Sequence, residues 1–281
     1  MSFSPLSARL IDRIGRVLHR TVPRDTALWR LLRRVRGRLP RTPPKQQIGQ
    51  LLDAFGQDWP RAVVIQIGAN DGAQHDPLRI RILRHQWQGY LLEPVPYVFA
   101  RLENYYADID RIQPVNIAIA DCDGHKDFHH LRQADPDEQL PRWYDGIGSF
   151  QRDVLLSHRD RIPDIERRLI TTPVPCLRFD SFCERFGITA VNLIQMDTEG
   201  YDYEVIKLID LARWQPLLLM YEHRHLSAED RAACLAHMQA AGYETMQEGL
   251  DTLCLHARAA AKEAPKLYAL WQQIQKGERG G

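Results

Sequence analysis

A short apolar run that ends in a glycine turn is the feature that most constrains this chain. Residues 63–67 are mostly β-branched and have the length of a buried parallel strand. Gly68 and Gly72 follow at once, and a residue without a Cβ lets a ligand approach the backbone closely. Residues 77–86 then carry apolar side chains at helical spacing. A strand, a glycine turn and a helix predict a nucleotide-type site at the carboxyl edge of a parallel sheet.

An acidic residue ends the next predicted strand. Residues 89–92 are mostly apolar, and Glu93 follows them, 25 residues after Gly68. A carboxylate at about this distance, roughly 20 residues beyond a glycine turn, accepts hydrogen bonds from a ribose diol. The pair therefore predicts a cofactor that contains adenosine. A nicotinamide-dependent oxidoreductase would need G-x-G-x-x-G, and Asn70 breaks that order.

Strands and helices alternate along the rest of the chain. Predicted strands lie near 62–67, 89–93, 115–120, 191–196 and 217–221. Predicted helices lie near 48–55, 77–86, 94–106, 181–186, 203–209, 227–241 and 262–276. We expect residues 126–131 to pair with the third strand, and 243–247 to pair with 252–256 as a closing antiparallel hairpin. The pattern predicts an α/β fold with a mostly parallel sheet and helices on both faces, and the last hairpin favours a methyltransferase sheet over a dehydrogenase sheet.

The positive charge is concentrated at the start of the chain. Residues 1–45 hold 12 of the 37 Lys and Arg residues but only 2 of the 36 Asp and Glu residues. Apolar residues recur there at helical spacing, which predicts a basic amphipathic helical arm before an α/β domain at 46–281. Such an arm could pack on the domain or on a second copy, lie on an anionic membrane surface, or bind nucleic acid. Because the remainder is net acidic, we expect nucleic acid least.

A polar, proline-dotted insert interrupts the alternation at residues 133–172, and an insert of this length favours a lid or substrate loop. It includes Trp143 and the glycine-rich stretch that follows, which suit a loop that faces a sugar or covers the cofactor. His75, His129, His130 and His158 have no metal-like spacing and are expected at the surface.

Several observations bear on the cell compartment. No apolar run approaches 18 residues, so we expect no transmembrane helix. The start of the chain lacks the apolar core of a secretory signal. Five scattered cysteines without a C-x-x-C pair predict reduced thiols. We therefore expect a cytoplasmic protein, with the basic arm allowing a peripheral position at the inner membrane face.

The ordered motifs resemble those of the FkbM-type methyltransferases. They are Ile65-Gln-Ile-Gly-Ala-Asn-Asp-Gly72, Glu93-Pro94, Asn116-x-Ala118, Asp121-x-x-Gly124, Gly148-Ser-Phe150 and Gln195-Met-Asp-Thr-Glu-Gly-Tyr-Asp202. The resemblance covers about residues 60–257. It implies the class I methyltransferase fold, with a Rossmann-like, mostly parallel seven-stranded sheet, and S-adenosylmethionine as methyl donor. It also implies O-methylation of a sugar, glycan or other small hydroxyl compound. The family often has Lys where this chain has Gln195.

The site residues follow from the motifs and from the ends of the predicted strands. The residues expected to hold the cofactor are Gly68, Ala69, Asn70, Asp71, Gly72, Glu93, Asn116, Ala118, Asp121, Ser149, Asp197 and Glu199. The residues expected in catalysis are Asp197, Glu222 and His223, with Glu199 and His225 as further possible bases, because a hydroxyl must lose its proton as it is methylated.

Three choices stay open at this point. A divalent metal held by Asp197, Glu222 and a histidine is conceivable but not expected. An RNA methyltransferase that uses the basic arm, or a scaffold with a vestigial pocket, are the alternative functions. A homo-oligomer is compatible with the sequence.

Overall fold

A seven-stranded sheet lies at the centre of the protein. The computed structural model describes residues 47–73, 76–135 and 137–279. The strands, in chain order, are β1 (Val63–Ile67), β2 (Gln88–Leu92), β3 (Ile112–Val115), β4 (Ala118–Ile119), β5 (Gly124–Leu131), β6 (Gly148–Ser149), β7 (Leu169–Leu177), β8 (Leu193–Met196), β9 (Leu218–Glu222), β10 (Tyr243–Glu248) and β11 (Asp251–His256). The helices are α1 (Gln47–Asp58), α2 (Arg79–His85), α3 (Pro96–Tyr106), α4 (Arg152–Leu156), α5 (Ile165–Arg168), α6 (Phe179–Arg185), α7 (Asp202–Leu208), α8 (Leu211–Trp214), α9 (Ala228–Ala240), α10 (Ala257–Glu263) and α11 (Pro265–Arg279).

The order of the strands in the sheet is β3-β2-β1-β8-β9-β11-β10. The first five strands run parallel to one another, and β11 is antiparallel to both β9 and β10. The prediction of a mostly parallel, class I methyltransferase sheet with a closing antiparallel hairpin is confirmed.

Alternate residues of the central strands pack on opposite faces of the sheet. Val64 and Leu193 join a core built by α1, α2 and α11, whereas Ile65 and Ile194 join a core built by α6, α7 and α9. Helices therefore cover both faces, as the apolar strands require.

The register of the parallel strands brings four loops to one edge. Ile67 lies opposite both Leu92 and Met196, and Met196 lies opposite Tyr221. The loops after β1, β2, β8 and β9 therefore begin at nearly the same level. This is the edge at which open α/β sheets bind their ligands.

A second, four-stranded sheet has the order β4-β7-β5-β6. Our prediction that residues 126–131 pair with the third strand was wrong, because β5 pairs along its length with β7. The sequence indicates only residues 174–179 as an extended piece, because Pro173 and Pro175 interrupt the strand pattern of β7. Both prolines lie in the part of β7 that, among the described residues, pairs with β5 alone, so a missing N–H can face the open side.

The first described helix, α1, is hydrogen-bonded to two segments near the carboxyl end of the described chain. Glu248, at the tip of the closing hairpin, accepts hydrogen bonds from the backbone N–H groups of Gln47 and Ile48 (3.0 and 2.9 Å). Asp58, at the other end of α1, accepts two bonds of 2.9 Å from the N–H groups of Lys266 and Leu267. Each carboxylate satisfies N–H groups that a helix start leaves without intrahelical partners.

Two further predictions concern helix ends. The predicted start of the helix at Ser227 is confirmed, since its hydroxyl accepts a bond from the Asp230 N–H (3.0 Å). The predicted terminal helix at 262–276 is confirmed as α11, which begins at Pro265, and it is preceded by a helix that was not predicted, α10.

Other predictions concern the membrane and the arm. The five cysteines are free, as predicted. None of the described helices is both long and apolar enough to cross a bilayer. The predicted basic arm at 1–45 lies outside the described residues, which belong to one compact unit.

Candidate active site

The glycine turn after β1 bends tightly over the end of β2. The N–H groups of Gly68 and Ala69 both donate to the Leu92 carbonyl (3.0 and 2.9 Å). Gly68 has φ +79°, and an added Cβ would lie 1.9 Å from the Asp197 carbonyl oxygen. Asn70 has φ 51°, which asparagine tolerates better than most residues. The turn therefore needs glycine at its first position for both conformation and space.

Glu93 is fixed at the end of β2 by the backbone around it. Its carboxylate accepts hydrogen bonds from the N–H groups of Asn70 (3.0 Å) and Val95 (2.9 Å). Burial raises the pKa of Glu93 to about 7, and these two bonds limit the rise. The carboxylate is thus held beside the glycine turn with lone pairs left for a ligand.

Three carboxylates, those of Asp197, Glu199 and Glu222, lie close to the carboxyl ends of β8 and β9. Asp197 lines the cavity and its side chain is exposed there, although protein atoms densely surround this part of the cavity. Loss of bulk solvent raises the pKa of Asp197 well above its ordinary value, and the carboxylates of Glu199 and Glu222 raise it further. Burial likewise raises the pKa of Glu222 to about 7. The negative charges of this cluster would favour a cation bound nearby.

Asp202 links the segment after β8 to the end of β9 by hydrogen bonds. It is fully buried and accepts hydrogen bonds from the Thr198 hydroxyl (2.9 Å), the Thr198 N–H (3.3 Å) and the Glu222 N–H (3.3 Å). It belongs to the motif block but was absent from our predicted site residues, because sequence alone does not show that its side chain bridges two loops.

Replacing Asp202 should destabilise the fold more than replacing an exposed aspartate with similar bonds. Asp202→Ala leaves one buried and two partly buried donors without their acceptor, so we expect the free energy of unfolding to fall by about 3 kcal/mol. Asp210→Ala removes an exposed cap that accepts two backbone bonds and should cost about 1 kcal/mol. Urea unfolding of both variants measures the difference, and equal losses would contradict the bridging role.

A cavity of about 440 Å³ opens where these loops meet. This volume is within the range of small-molecule sites. The predicted site residues that line it are Gly68, Asn70, Glu93, Ala118, Asp197, Glu199 and Glu222. One wall therefore comes from the glycine turn and Glu93, and another from the acids after β8 and β9.

The other predicted residues do not line this cavity. Ala69 is buried, Asp71 accepts a bond from the Ala73 N–H, and Gly72 packs beside Leu102 of α3.

Four more predicted residues also lie off the cavity wall. Asn116 donates to the Glu93 and Pro94 carbonyls (2.7 and 3.1 Å), Asp121 pairs with Lys126, and the Ser149 hydroxyl accepts from the Gln151 N–H. The His223 ring is buried against the Thr252 hydroxyl (2.8 Å). Asn116 thus positions the Glu93 loop.

The insert contributes a wall of the cavity that the sequence only partly indicated. Trp143, His158 and Arg161 all line the cavity, and the Arg161 guanidinium lies 4.9 Å from the centre of the Trp143 ring. Our prediction that His130 and His158 lie at the surface was wrong, since they are 6% and 7% exposed. Nothing in the local sequence of His158 indicates this, because two of its neighbours in space, Glu199 and His225, lie more than forty residues away along the chain.

The strand order, the glycine turn and the acid after β2 point to one class of enzyme. Residues 66–245, more than half of the chain, match the sequence model of the methyltransferase FkbM domain. The chain belongs to the FkbM methyltransferase family. The resemblance found in the motifs is thereby confirmed.

Relatives of this FkbM protein include one with a named activity. The 2-O-methyltransferase NoeI of Sinorhizobium fredii (strain NBRC 101917 / NGR234) is 30% identical over 149 residues, which are 52% of this chain and 57% of NoeI. The matched segment thus spans little more than half the length of that relative.

Two solved structures align at low identity. The methyltransferase FkbM of Methylobacillus flagellatus KT is 13% identical, with a TM-score of 0.43 over 70% of this chain and 44% of that one. A METTL16 methyltransferase domain is 11% identical, with a TM-score of 0.39 over 91% and 100% of the two chains.

Proposed function

We propose that this FkbM-family chain transfers a methyl group from S-adenosylmethionine to a hydroxyl of a sugar, glycan or other small molecule. One juxtaposition carries the proposal. A single cavity is lined by the glycine turn, by Asp197 and by Glu93, an acid whose position after β2 suits ribose binding.

The cofactor would lie along the glycine turn. Its methionine part would pass beside the backbone of Gly68, and Glu93 would accept hydrogen bonds from its ribose. The sulfonium would then lie near Asp197, because Gly68 and the Asp197 carbonyl are in contact. A carboxylate beside a sulfonium stabilises the bound cation.

Methyl transfer is an in-line displacement. The bond from sulfur to the methyl carbon breaks as the acceptor oxygen bonds to that carbon, and sulfur keeps the electron pair. The acceptor hydroxyl releases its proton, and Asp197 would take it, because a raised pKa suits a base that works near neutral pH. Alignment of the oxygen with the methyl carbon supplies much of the acceleration.

The acceptor would enter from the side of the insert. Trp143 gives that wall an aromatic face, and Arg161 and Arg224 add donors at the cavity lining. An aromatic face with hydrogen-bonding groups suits a polyhydroxylated ring. The name of the 2-O-methyltransferase relative agrees with a hydroxyl acceptor.

Calorimetric titration of the full chain tests the cofactor. We expect one molecule of S-adenosylhomocysteine to bind per chain, and NADH not to bind. Methyl transfer from labelled S-adenosylmethionine to a panel of sugars and glycans then tests the acceptor class. Binding of NADH in place of the adenosyl-sulfur ligands would contradict the proposal.

The affinity for S-adenosylhomocysteine should fall as the pH falls below 7. The pKa of Glu93 is raised to about 7 without ligand, and ribose hydroxyls that donate to its carboxylate favour the charged form. Binding at lower pH must therefore release a proton, which weakens affinity by up to about tenfold per pH unit. Titrations between about pH 5 and pH 8 measure this slope.

Glu93→Gln serves as the control for this pH dependence. The variant should bind more weakly, and its affinity should vary less with pH. An unchanged slope in the variant would assign the proton to another group.

A further inference from the structure

Two histidines and a glutamate from distant parts of the chain meet beside the cavity. His158 follows α4 in the insert, Glu199 follows β8, and His225 follows β9. One potential ligand atom from each lies within 4.8 Å of the others. Atoms that bind one ion at about 2.0–2.2 Å lie about 3–4 Å apart, so small side-chain rotations would complete the set.

Three polar side-chain atoms of this cluster make no well-aligned hydrogen bond to the described residues. These atoms are His158 Nε2, Glu199 Oε2 and Glu222 Oε2, and the side chains of His158 and Glu222 belong to residues only 7% and 9% exposed. His225 Nε2 lies 3.1 Å from Glu199 Oε2 and 3.8 Å from Glu222 Oε2. The closer contact is an ion pair when His225 is protonated, so His158 Nε2 and Glu222 Oε2 are the two atoms of the cluster that lack a close partner among the described residues. Buried polar atoms are seldom left in this state.

The backbone is shaped to bring the three side chains together. Glu199 has φ 49°, a conformation that is uncommon outside glycine. At Gly200, with φ +91°, an added Cβ would lie 3.1 Å from Val154 of α4 and 3.2 Å from the Cβ of His225. The glycine therefore lets the α4 segment and the loop after β9 approach the loop after β8. Strained backbone of this kind concentrates at functional sites.

We propose that His158, Glu199 and His225 bind a divalent first-row transition metal ion, with Glu222 as a fourth ligand. Two imidazoles with carboxylates suit Mn²⁺, Fe²⁺, Co²⁺ or Zn²⁺, whereas Mg²⁺ and Ca²⁺ prefer ligand sets made of oxygen. The nearby carboxylates of Asp197 and Asp251 add negative charge that favours a cation. The sequence did not predict this site, because His158 belongs to an insert far from the strand ends.

The role of the ion rests on the proposed function. His158, Glu199 and Glu222 line the same cavity as Asp197. An ion held there would bind acceptor oxygens, orient the ring and lower the pKa of the hydroxyl to be methylated. Asp197 would then receive a more acidic proton.

Titration of the full chain with Co²⁺, without cofactor or acceptor, tests the site. The expected result is visible ligand-field absorption that saturates at one ion per chain. His158→Asn and His225→Asn should each weaken Co²⁺ affinity by at least about a hundredfold, since each removes a direct ligand. His125→Asn, which changes an exposed histidine of β5, should leave the affinity unchanged.

Urea unfolding and circular dichroism of the same variants show whether they remain folded. Glu199→Gln provides a second test, because it keeps the shape of the side chain and removes its charge. The proposal is overturned if no single-site absorption develops, or if folded His158 and His225 variants bind Co²⁺ as the native chain does. If the adenosyl ligand binds without any Co²⁺ site, the proposed function stands and this inference fails. If the Co²⁺ site is present and no adenosyl ligand binds, the proposed function fails and the metal site stands.

Discussion

Gly68→Ala is expected to abolish binding of S-adenosylmethionine and to weaken the fold. The new Cβ would lie 1.9 Å from the Asp197 carbonyl oxygen, and that atom belongs to the backbone, which cannot rotate away. The residue would also keep φ near +79°, which disfavours any side chain. Together these effects should lower the free energy of unfolding by about 4 kcal/mol. Calorimetric titration and urea unfolding measure the two consequences.

Gly187→Ala is a matched control for this substitution. Gly187 also has a positive φ, +63°, but an added Cβ there meets no atom within 4 Å. It should therefore cost only about 1–2 kcal/mol through conformation and leave cofactor binding intact. If Gly68→Ala bound the cofactor as tightly as Gly187→Ala, the turn would not be the cofactor site.

Asp197→Asn is expected to reduce kcat by about a hundredfold to ten-thousandfold, the range of a lost general base. The amide keeps the size of the side chain but accepts no proton. Because the pKa of Asp197 is raised, native kcat should rise with pH until the carboxylate is charged. The variant should lose this rise, and Asp127→Asn, an exposed change on β5, should keep it.

A second substitution identifies the carboxylate that titrates. Glu222→Gln removes a negative charge that raises the pKa of Asp197. The rise of kcat should therefore shift to lower pH in this variant. Loss of the rise in Glu222→Gln with its retention in Asp197→Asn would assign the base to Glu222 instead.

Much of the main sheet could be predicted from the sequence, because β1, β2, β8 and β9 are short apolar runs next to helices. The closing hairpin was equally visible, since residues 243–247 and 252–256 flank a short turn. The prediction of a third strand at 115–120 was wrong in its bounds, since β3 is Ile112–Val115 and Ala118–Ile119 belongs to the second sheet.

The second sheet could not be predicted in the same way. Its longest strand, β7, contains Pro173 and Pro175, and its partner β5 precedes it by a long polar segment. Pairing over such a distance leaves no periodic signal between the two runs.

The site could be predicted where it depends on the ends of adjacent parallel strands. Glu93, Asp197 and Glu222 each follow such a strand, and the structure brings all three to the cavity. His158 could not be predicted, because an insert has no fixed position relative to the sheet. His223 and His225 follow the same strand, but the conformation of the loop decides which ring approaches the acids. The structure gives that place to His225.

The long-range hydrogen bonds at the two ends of α1 affect the order in which the chain can fold during synthesis. Glu248 is 201 residues away from Gln47, and Leu267 is 209 residues away from Asp58. The apolar face of α1 packs in one core with Trp271 of α11. This face cannot be fully covered until α11 has left the ribosome. Contacts of such long sequence separation form late and slowly. We therefore expect α1 to complete its packing only after α11 has been synthesised, and chains that stop before α11 to leave part of the apolar face of α1 uncovered.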